Sequence, residues 1–161
     1  MTRWYVAGTA ASVYLGRTNP LPWLGNTVYL HNFHRGDDDR ELHNHPWDEA
    51  VSIILSGGYT DQRLIPHSPT DQQARFTRRT QLRVGSTSTL RRSDWHRVED
   101  VLPDTWTLFV CGKRIGDWGF LLKSGETVPW REFNSAKREG RRPVPGRIKL
   151  VSDPDWGDDF G

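Results

Sequence analysis

The sequence has few of the residues that cross-link a chain or anchor it in a membrane. Its single cysteine, Cys111, excludes an intramolecular disulfide and a cysteine-based zinc cluster within these 161 residues. No run approaches the roughly 18 apolar residues of a membrane-spanning helix, and the first residues lack the build of a signal peptide. The formal net charge is only +2, so charge alone does not indicate binding to nucleic acid or to an anionic membrane. We therefore expect a cytoplasmic protein without a membrane partner.

Helix signals are also scarce, whereas strand signals recur from Thr27 onward. Short apolar or β-branched runs alternate with turn residues, as in an antiparallel sandwich or barrel rather than a βα fold. A single short helix is predicted in residues 129–139, where Gly140 would end it. The runs are TVYLHNF, EAVSIIL, YTDQRLI, ARFTRRTQLRV, STSTL, HRVEDVL, TWTLFV and WGFLL.

This pattern predicts one β domain with two flanking segments. With 35% hydrophobic residues, a chain of this length supports a single core. Residues 1–26 have little periodicity and are expected to be an irregular lead-in. Residues 27–125 are expected to form the β-barrel. Residues 126–161 are expected to be a C-terminal extension that packs on the barrel or trails from it.

Three of the six histidines have the spacing of metal ligands. His43 and His45 are separated by one residue, so on an extended strand both imidazoles project from the same face. His96 begins another strand-like run, which can bring it opposite the first pair. Imidazoles with one carboxylate suit Fe(II), Mn(II), Ni(II), Zn(II) or Co(II) and leave coordination positions open. These histidines therefore predict a divalent metal site that substrate can reach.

The carboxylate that would complete the ligand set has two candidates. Alternation favours Glu49, because Val51, Ile53 and Leu55 would continue its face toward a buried interior. The turn before it could shift the pattern by one residue, so Asp48 is the reserve ligand.

These residues resemble the two sequence motifs of the cupin superfamily. The HxHxxxE core of the first motif is kept, although its two glycines each lie one position further away than in the family pattern. In the second motif, the glycine and histidine stand at the family spacing, but Arg91, Ser93 and Asp100 replace a proline, a glycine and an asparagine. The matched residues are Gly36, His43, His45, Glu49 and Gly57 in the first motif, and Gly85 and His96 in the second. The resemblance implies an all-β double-stranded β-helix, or jelly roll, a divalent metal with Fe(II) favoured, and a homodimer.

Several side chains are candidates to surround this site. Tyr59 and Arg63 have the same strand parity, as do Arg79 and Arg83, and an inward arginine would suit a carboxylate or phosphate group. Structural or surface roles are expected for the remaining histidines, His31, His34 and His67, although either His31 or His34 could line the pocket. Two tryptophans beside the ligand histidines, Trp47 and Trp95, could form an apolar wall for substrate.

The resulting hypothesis is a mononuclear non-heme metalloenzyme, an Fe(II)-dependent oxygenase acting on a small polar or anionic metabolite. A metal-dependent isomerase or lyase would use the same ligands. The alternative is a non-catalytic, small-ligand-binding accessory cupin of a kind associated with phages. A weaker alternative is a nucleic-acid-associated protein, since residues 75–92 contain six arginines and no acidic residue. An exposed basic strand is the simpler interpretation of those arginines.

Overall fold

The computed structural model describes residues 4–7, 10–14, 27–37, 41–65 and 77–153, with side chains from Val28 onward. His67, one of the histidines expected to have a structural or surface role, lies outside the described residues. The described elements follow in chain order: β1 (Trp4–Ala7), β2 (Ala10–Tyr14), β3 (Thr27–Phe33), β4 (Leu42–His43), β5 (Glu49–Ser56), β6 (Gly58–Leu64), β7 (Thr77–Arg83), β8 (Thr87–Arg91), β9 (His96–Glu99), β10 (Thr105–Cys111), β11 (Gly119–Leu121), β12 (Thr127–Pro129) and α1 (Trp130–Glu139).

The strands form two antiparallel sheets. Sheet A has the order β1-β2-β3-β10-β5-β8, and sheet B has the order β12-β11-β4-β9-β6-β7. Side chains from both sheets meet in one hydrophobic cluster, in which Ile54 and Phe33 of sheet A contact Tyr59, Leu82 and Val98 of sheet B. The two sheets therefore face each other and enclose the core between them, and the predicted all-β architecture is confirmed.

Each of the eight predicted runs contains a strand. The sequence analysis did not find β4 and β12, which have only two and three residues. It also did not find β1 and β2, which lie within the segment expected to be irregular and extend sheet A beyond β3. Both contain the β-branched and aromatic residues that favour strands, so their composition was the available signal.

The inward face of β5 differs from the prediction. Ala50, Ser52 and Ile54 are buried, whereas Glu49 and Leu55 are exposed. The expectation that Glu49 and its alternate residues face the interior is therefore wrong by one position. The cause is the preceding segment, which leaves sheet B and pairs with residues 113–115 before it enters sheet A, so alternation does not carry across it.

The predicted C-terminal helix is confirmed as α1. Gly140 ends it in the left-handed conformation, with φ of 66°, and the backbone N–H groups of Gly140 and Arg141 donate to the carbonyl oxygens of Lys137 and Ala136, respectively. Phe133 and Ala136 are buried, and Phe133 stacks on Phe120 of β11. The helix thus covers the end of sheet B that carries β11 and β12. Among the described residues, no helix has the length and apolar character needed to cross a bilayer.

Candidate metal centre

His43, His45 and His96 converge at one point between the sheets. His43 lies in β4 and pairs across the sheet with His96, the first residue of β9, while His45 lies in the segment that follows β4. One ring nitrogen from each histidine lies within 4.8 Å of the others. His96 is buried and the other two are half-buried. The three histidines can therefore hold a single metal ion.

The ring nitrogens of His45 and His96 have the separation expected of two ligands of one ion. Their Nε2 atoms lie 2.9 Å apart. Two nitrogens at about 2.1 Å from an ion, at right angles to each other, would be separated by about 3 Å. Burial, followed by the neighbouring His96 and His43, holds the pKa of His45 well below 6.5. His45 is therefore neutral and has the lone pair that coordination requires, so the donor set fits a divalent ion.

Hydrogen bonds from the Arg92 and Asn44 side chains hold the segment that carries His45. The Arg92 guanidinium donates from Nη1 to the carbonyl oxygen of His45 at 3.0 Å and also to that of Asp117. The buried Asn44 side chain donates to the carbonyl oxygen of Arg92 and accepts from the N–H of Gly119. These contacts fix the chain on both sides of the His45 ring.

A buried carboxylate lies behind His96. Oδ1 of Asp61 is 2.8 Å from Nδ1 of His96, and each side chain is only 5% exposed. Nε of Arg63 donates to the other oxygen of Asp61 at 2.6 Å. Burial alone would raise the pKa of Asp61, but the hydrogen bonds with His96 and Arg63 and the charge of Arg63 outweigh it and keep the pKa below 3.8. Asp61 is therefore an anion.

A second carboxylate lies beside His43. Oδ2 of Asp37 is 3.8 Å from Nδ1 of His43 and accepts the backbone N–H of Val98 at 2.7 Å. The N–H of Asp37 in turn donates to the carbonyl oxygen of Val98. The loop before β4 is thus fastened to β9, next to the histidines.

The histidines face a cavity of about 200 Å³. Its wall is mostly apolar, with a few polar groups, among them the Ser52 and Tyr59 hydroxyls, which lie 3.3 Å apart. Within the described part of the chain, no lysine or arginine lines it. The lining residues are His31, Phe33, Asp37, His43, His45, Ser52, Tyr59, Leu90, His96, Val98 and Phe109.

His31 is a fourth histidine in this wall. Its ring stacks on Phe109 and on Tyr29, with centroids 5.3 and 5.7 Å apart, and meets Phe33 edge-on. Burial lowers its pKa to about 4, so the imidazole is neutral near pH 7. His34, in contrast, is exposed. The expectation of a structural or surface role thus fits the placement of His34, whereas His31 faces the cavity.

The two carboxylates predicted as metal ligands are not placed beside the histidines. Glu49 is exposed, and its Oε2 lies 3.6 Å from Nε of Arg91 on the neighbouring strand. Asp48 is also exposed, and its Oδ1 accepts the backbone N–H of Glu49 at 2.7 Å. Glu49 is on the outward face because the parity of β5 is opposite to the one expected, whereas Asp48 precedes the strand and its Oδ1 is held by the backbone N–H of Glu49.

The predicted substrate-binding residues have different positions. Tyr59 lines the cavity. Arg63 is engaged with Asp61 outside the cavity wall, and Arg79 and Arg83 are exposed on β7. Of the two tryptophans, Trp47 stacks on His45 with centroids 5.7 Å apart, whereas Trp95 is half-buried and is not among the lining residues. Trp47 therefore supports a histidine instead of forming the cavity wall.

Asp61 and Asp37 were not predicted as site residues, whereas a cavity position was an open alternative for His31. Asp61 has the same strand parity as Tyr59 and Arg63, so a charged residue on an inward face was the available signal. His31 alternates with Tyr29 and Phe33, which gave a similar signal. Asp37 lies in a loop, where alternation gives none.

Comparison with known proteins supports the fold alone. No family model matches the chain, and no curated protein matches it. Among solved structures, the oxalate decarboxylase formate complex of Lactobacillus farciminis matches with a TM-score of 0.52 and 12% identity, over 74% of this chain and 33% of that one. The capsular polysaccharide assembling protein CapF of Staphylococcus aureus matches with a TM-score of 0.51 and 13% identity, over 71% of this chain and 29% of that one.

A third match is the CENP-C cupin domain of Drosophila melanogaster, with a TM-score of 0.49 and 9% identity over 70% of this chain and 75% of that domain. The chain spans no more than a third of the length of the first two proteins. Their likeness, together with the two facing antiparallel sheets, gives the chain the cupin fold, a double-stranded β-helix.

Proposed function

We propose that this protein is a metal-dependent cupin in which His43, His45 and His96 hold one divalent ion, and that it acts as a mononuclear non-heme metalloenzyme of the oxygenase type. The observation that carries the proposal is the convergence of the His45 and His96 Nε2 atoms, 2.9 Å apart at the wall of a cavity. Two imidazole nitrogens approach so closely when they share a proton or a metal ion. The third histidine within 4.8 Å favours the metal ion.

Fe(II) is the ion that we favour, with Mn(II), Ni(II), Zn(II) and Co(II) as alternatives, because neutral imidazole nitrogens suit all of them. When bound, the ion would supply Lewis acidity or electron transfer to a substrate at the positions that three histidines leave open. Asp61 would fix the orientation of His96, and the hydrogen bond from Arg92 to the backbone would fix that of His45.

The cavity supports a small and polar substrate. A volume of about 200 Å³ is below the range of about 300 to 1,000 Å³ typical of drug-sized ligand sites. Because no described lysine or arginine lines the cavity, an anionic group would have to bind at the ion itself. We therefore favour an uncharged polar molecule, or one that chelates the ion through its own oxygen atoms.

Two lining residues would contact such a substrate. Burial raises the pKa of Tyr59 to about 12, so its hydroxyl keeps its proton and can donate to a substrate oxygen. Neutral His31 offers one donor and one acceptor from a ring that Phe109 and Tyr29 hold in place. The aromatic and aliphatic side chains of the wall would exclude water from the reacting groups.

The test is oxygen consumption by the Fe(II)-loaded protein across a panel of small hydroxy acids, diols and amino alcohols. We expect at least one compound to stimulate uptake, and His45→Ala to reduce it to background. His34→Ala is the control, because His34 is exposed and outside the cavity. Stoichiometric metal binding without turnover by any compound, under Fe(II) or the alternative ions, would contradict catalysis and favour a non-catalytic ligand-binding role.

A further inference from the structure

A hydrogen-bond network of buried and half-buried polar groups extends from the metal centre to the edge of sheet A. It begins at Nδ1 of His96, passes through both oxygens of Asp61, and reaches the Arg63 guanidinium. The guanidinium continues it, since Nη1 donates to the carbonyl oxygen of Thr89 at 2.6 Å and Nη2 donates to the Ser88 hydroxyl. Nε, Nη1 and Nη2 of Arg63 thus each donate to an acceptor.

This hydrogen-bond network connects the two sheets. Asp61, Arg63 and His96 belong to sheet B, where Arg63 and His96 are direct partners across β6 and β9. Ser88 and Thr89 belong to β8, the edge strand of sheet A. Arg63 thus bridges from β6 to β8, and its position is set by both sheets rather than by its own side-chain preference.

This arrangement determines which ring nitrogen of His96 carries the proton. Ionised Asp61 only accepts hydrogen bonds, and Arg63 supplies a donor to one of its oxygens. Within the described residues, the group that faces the other oxygen is Nδ1 of His96, at 2.8 Å, which must therefore carry the proton. With the proton on Nδ1, Nε2 of the neutral ring presents a lone pair toward His45.

We propose that Asp61 and Arg63 are positioning residues, which hold His96 as the Nδ1–H tautomer with its Nε2 lone pair directed at the metal centre. Arg63 acts through Asp61 by keeping the carboxylate aligned with the ring. The tautomer of His96 follows from the described contacts alone. Its consequence for metal affinity rests on the proposed function.

The direct test is the tautomer of His96 in the metal-free wild-type protein, measured by long-range ¹H–¹⁵N correlation spectra of ¹⁵N-histidine-labelled protein. We expect a pyrrole-type Nδ1 and a pyridine-type Nε2. Asp61→Asn and Arg63→Gln should each shift the ring toward a mixture of tautomers. A wild-type His96 with its proton on Nε2 would overturn the proposal, as would variants that keep the wild-type spectrum.

The second readout is the affinity for Co²⁺, followed by its visible absorption and by competition with a chelator. We expect Asp61→Asn and Arg63→Gln to weaken the affinity by about 10- to 100-fold, as is usual when the partner of a metal-bound histidine is removed. Arg79→Gln is the matched control, because Arg79 is an exposed arginine on β7 of the same sheet whose partner is Glu99 instead of Asp61. It should bind Co²⁺ like the wild type.

The outcomes separate this proposal from the proposed function. If Asp61→Asn fails to fold, Arg63→Gln and the wild-type spectrum still decide the tautomer. If the wild-type protein has the expected tautomer but binds no metal, the proposed function fails and the positioning role remains. If metal binds tightly and equally to all variants, the positioning role fails and the proposed function remains.

Discussion

At the scale of single residues, two threonines on β10 differ in how their buried hydroxyls are satisfied. Thr105 and Thr107 are both 0% exposed. The Thr105 hydroxyl accepts the N–H of Gly58 at 2.9 Å and donates toward the carbonyl oxygens of Leu102 and Gly58. Within the described residues, the Thr107 hydroxyl has no hydrogen-bond partner. The two sites form a natural pair of matched tests.

Replacing each threonine by the equally shaped valine should have opposite effects. Thr105→Val leaves backbone groups of the turn without their partner, so it should lower the free energy of unfolding by about 1 to 3 kcal/mol. Thr107→Val removes a buried hydroxyl that makes no bond, so it should raise this free energy by about 1 kcal/mol. Urea denaturation measures both, and equal destabilisation by the two variants would contradict this description of β10.

His31 should make the protein sensitive to acid. Its pKa is about 4 in the folded protein and 6.5 in the unfolded chain. Between these values the unfolded chain binds the proton and the folded protein does not, so the free energy of unfolding decreases as the pH falls from 6.5 to 4. The decrease in the free energy of unfolding is at most about 3 kcal/mol, and there is no such decrease above pH 7.

The variant His31→Phe keeps an aromatic ring in the stack and removes the titrating group. Denaturation of both proteins at pH 7.5 and at pH 4.5 isolates the effect, since His31 is neutral in the folded and the unfolded states at the higher pH. We expect the variant to lose less stability than the wild type on acidification. An equal loss would show that His31 is not held in its neutral form by burial.

The site was predictable from the sequence only where short-range geometry decides. His43 and His45 share a face because one residue separates them, and the spacing of His96 from Gly85 matched a family motif. Glu49 was misplaced because strand parity does not persist through a segment that changes sheets. Strand parity gave a signal for inward side chains at Asp61 and Arg63, but their roles come from contacts between β6, β9 and β8 that no local pattern encodes.

At the scale of elements, the turn between β5 and β6 depends on a close backbone approach. Gly57 has a φ of 66°, and a Cβ atom there would lie 2.4 Å from Oγ1 of Thr105. Gly85, in the turn between β7 and β8, has a φ of 82°, but a Cβ atom would meet nothing within 4 Å. The two glycines share a left-handed backbone and differ in their surroundings.

Alanine substitutions should therefore separate strain from crowding. Gly85→Ala is expected to lower the free energy of unfolding by about 1 to 2 kcal/mol through backbone strain alone. Gly57→Ala is expected to lower it by about 2 to 4 kcal/mol, because overpacking against Thr105 adds to the same strain. Denaturant titration gives both values, and a smaller loss for Gly57→Ala than for Gly85→Ala would contradict the close approach.

The strands were predictable because turn residues bounded each apolar or β-branched run. β4 and β12 were not predicted, because their two and three residues do not belong to a longer apolar run. Their pairing depends on β11, which connects β12 to β4 and so brings His43 into sheet B. The strand β4, which positions His43, is thus defined by its pairing with neighbouring strands.

At the scale of the whole molecule, both sheets contribute to the cavity, so a ligand of the histidines should stabilise the fold as a whole. Phe33, Leu90 and Phe109 come from sheet A, and His43 and His96 come from sheet B. An ion that binds only the folded protein raises the free energy of unfolding according to its concentration and affinity. The homodimer remains a prediction, which light scattering tests.

This linkage gives a measurable shift in melting temperature. At a free metal concentration one hundred times the Kd, the stabilisation is about 2.7 kcal/mol, which corresponds to a rise of about 5 to 10 °C for a chain of this size. His45→Ala should show no comparable rise, and a chelator should reverse the rise in the wild type. An equal rise in both proteins would show that the ion binds elsewhere.

The most direct test of the central claim is the metal content of protein purified without added metal, determined by elemental analysis. We expect close to one divalent ion per chain in the wild-type protein and in His34→Ala, and almost none in His43→Ala or His96→Ala. A wild-type protein that contains no metal and takes up none on reconstitution would contradict the three-histidine site, and so would two histidine variants that keep a full complement.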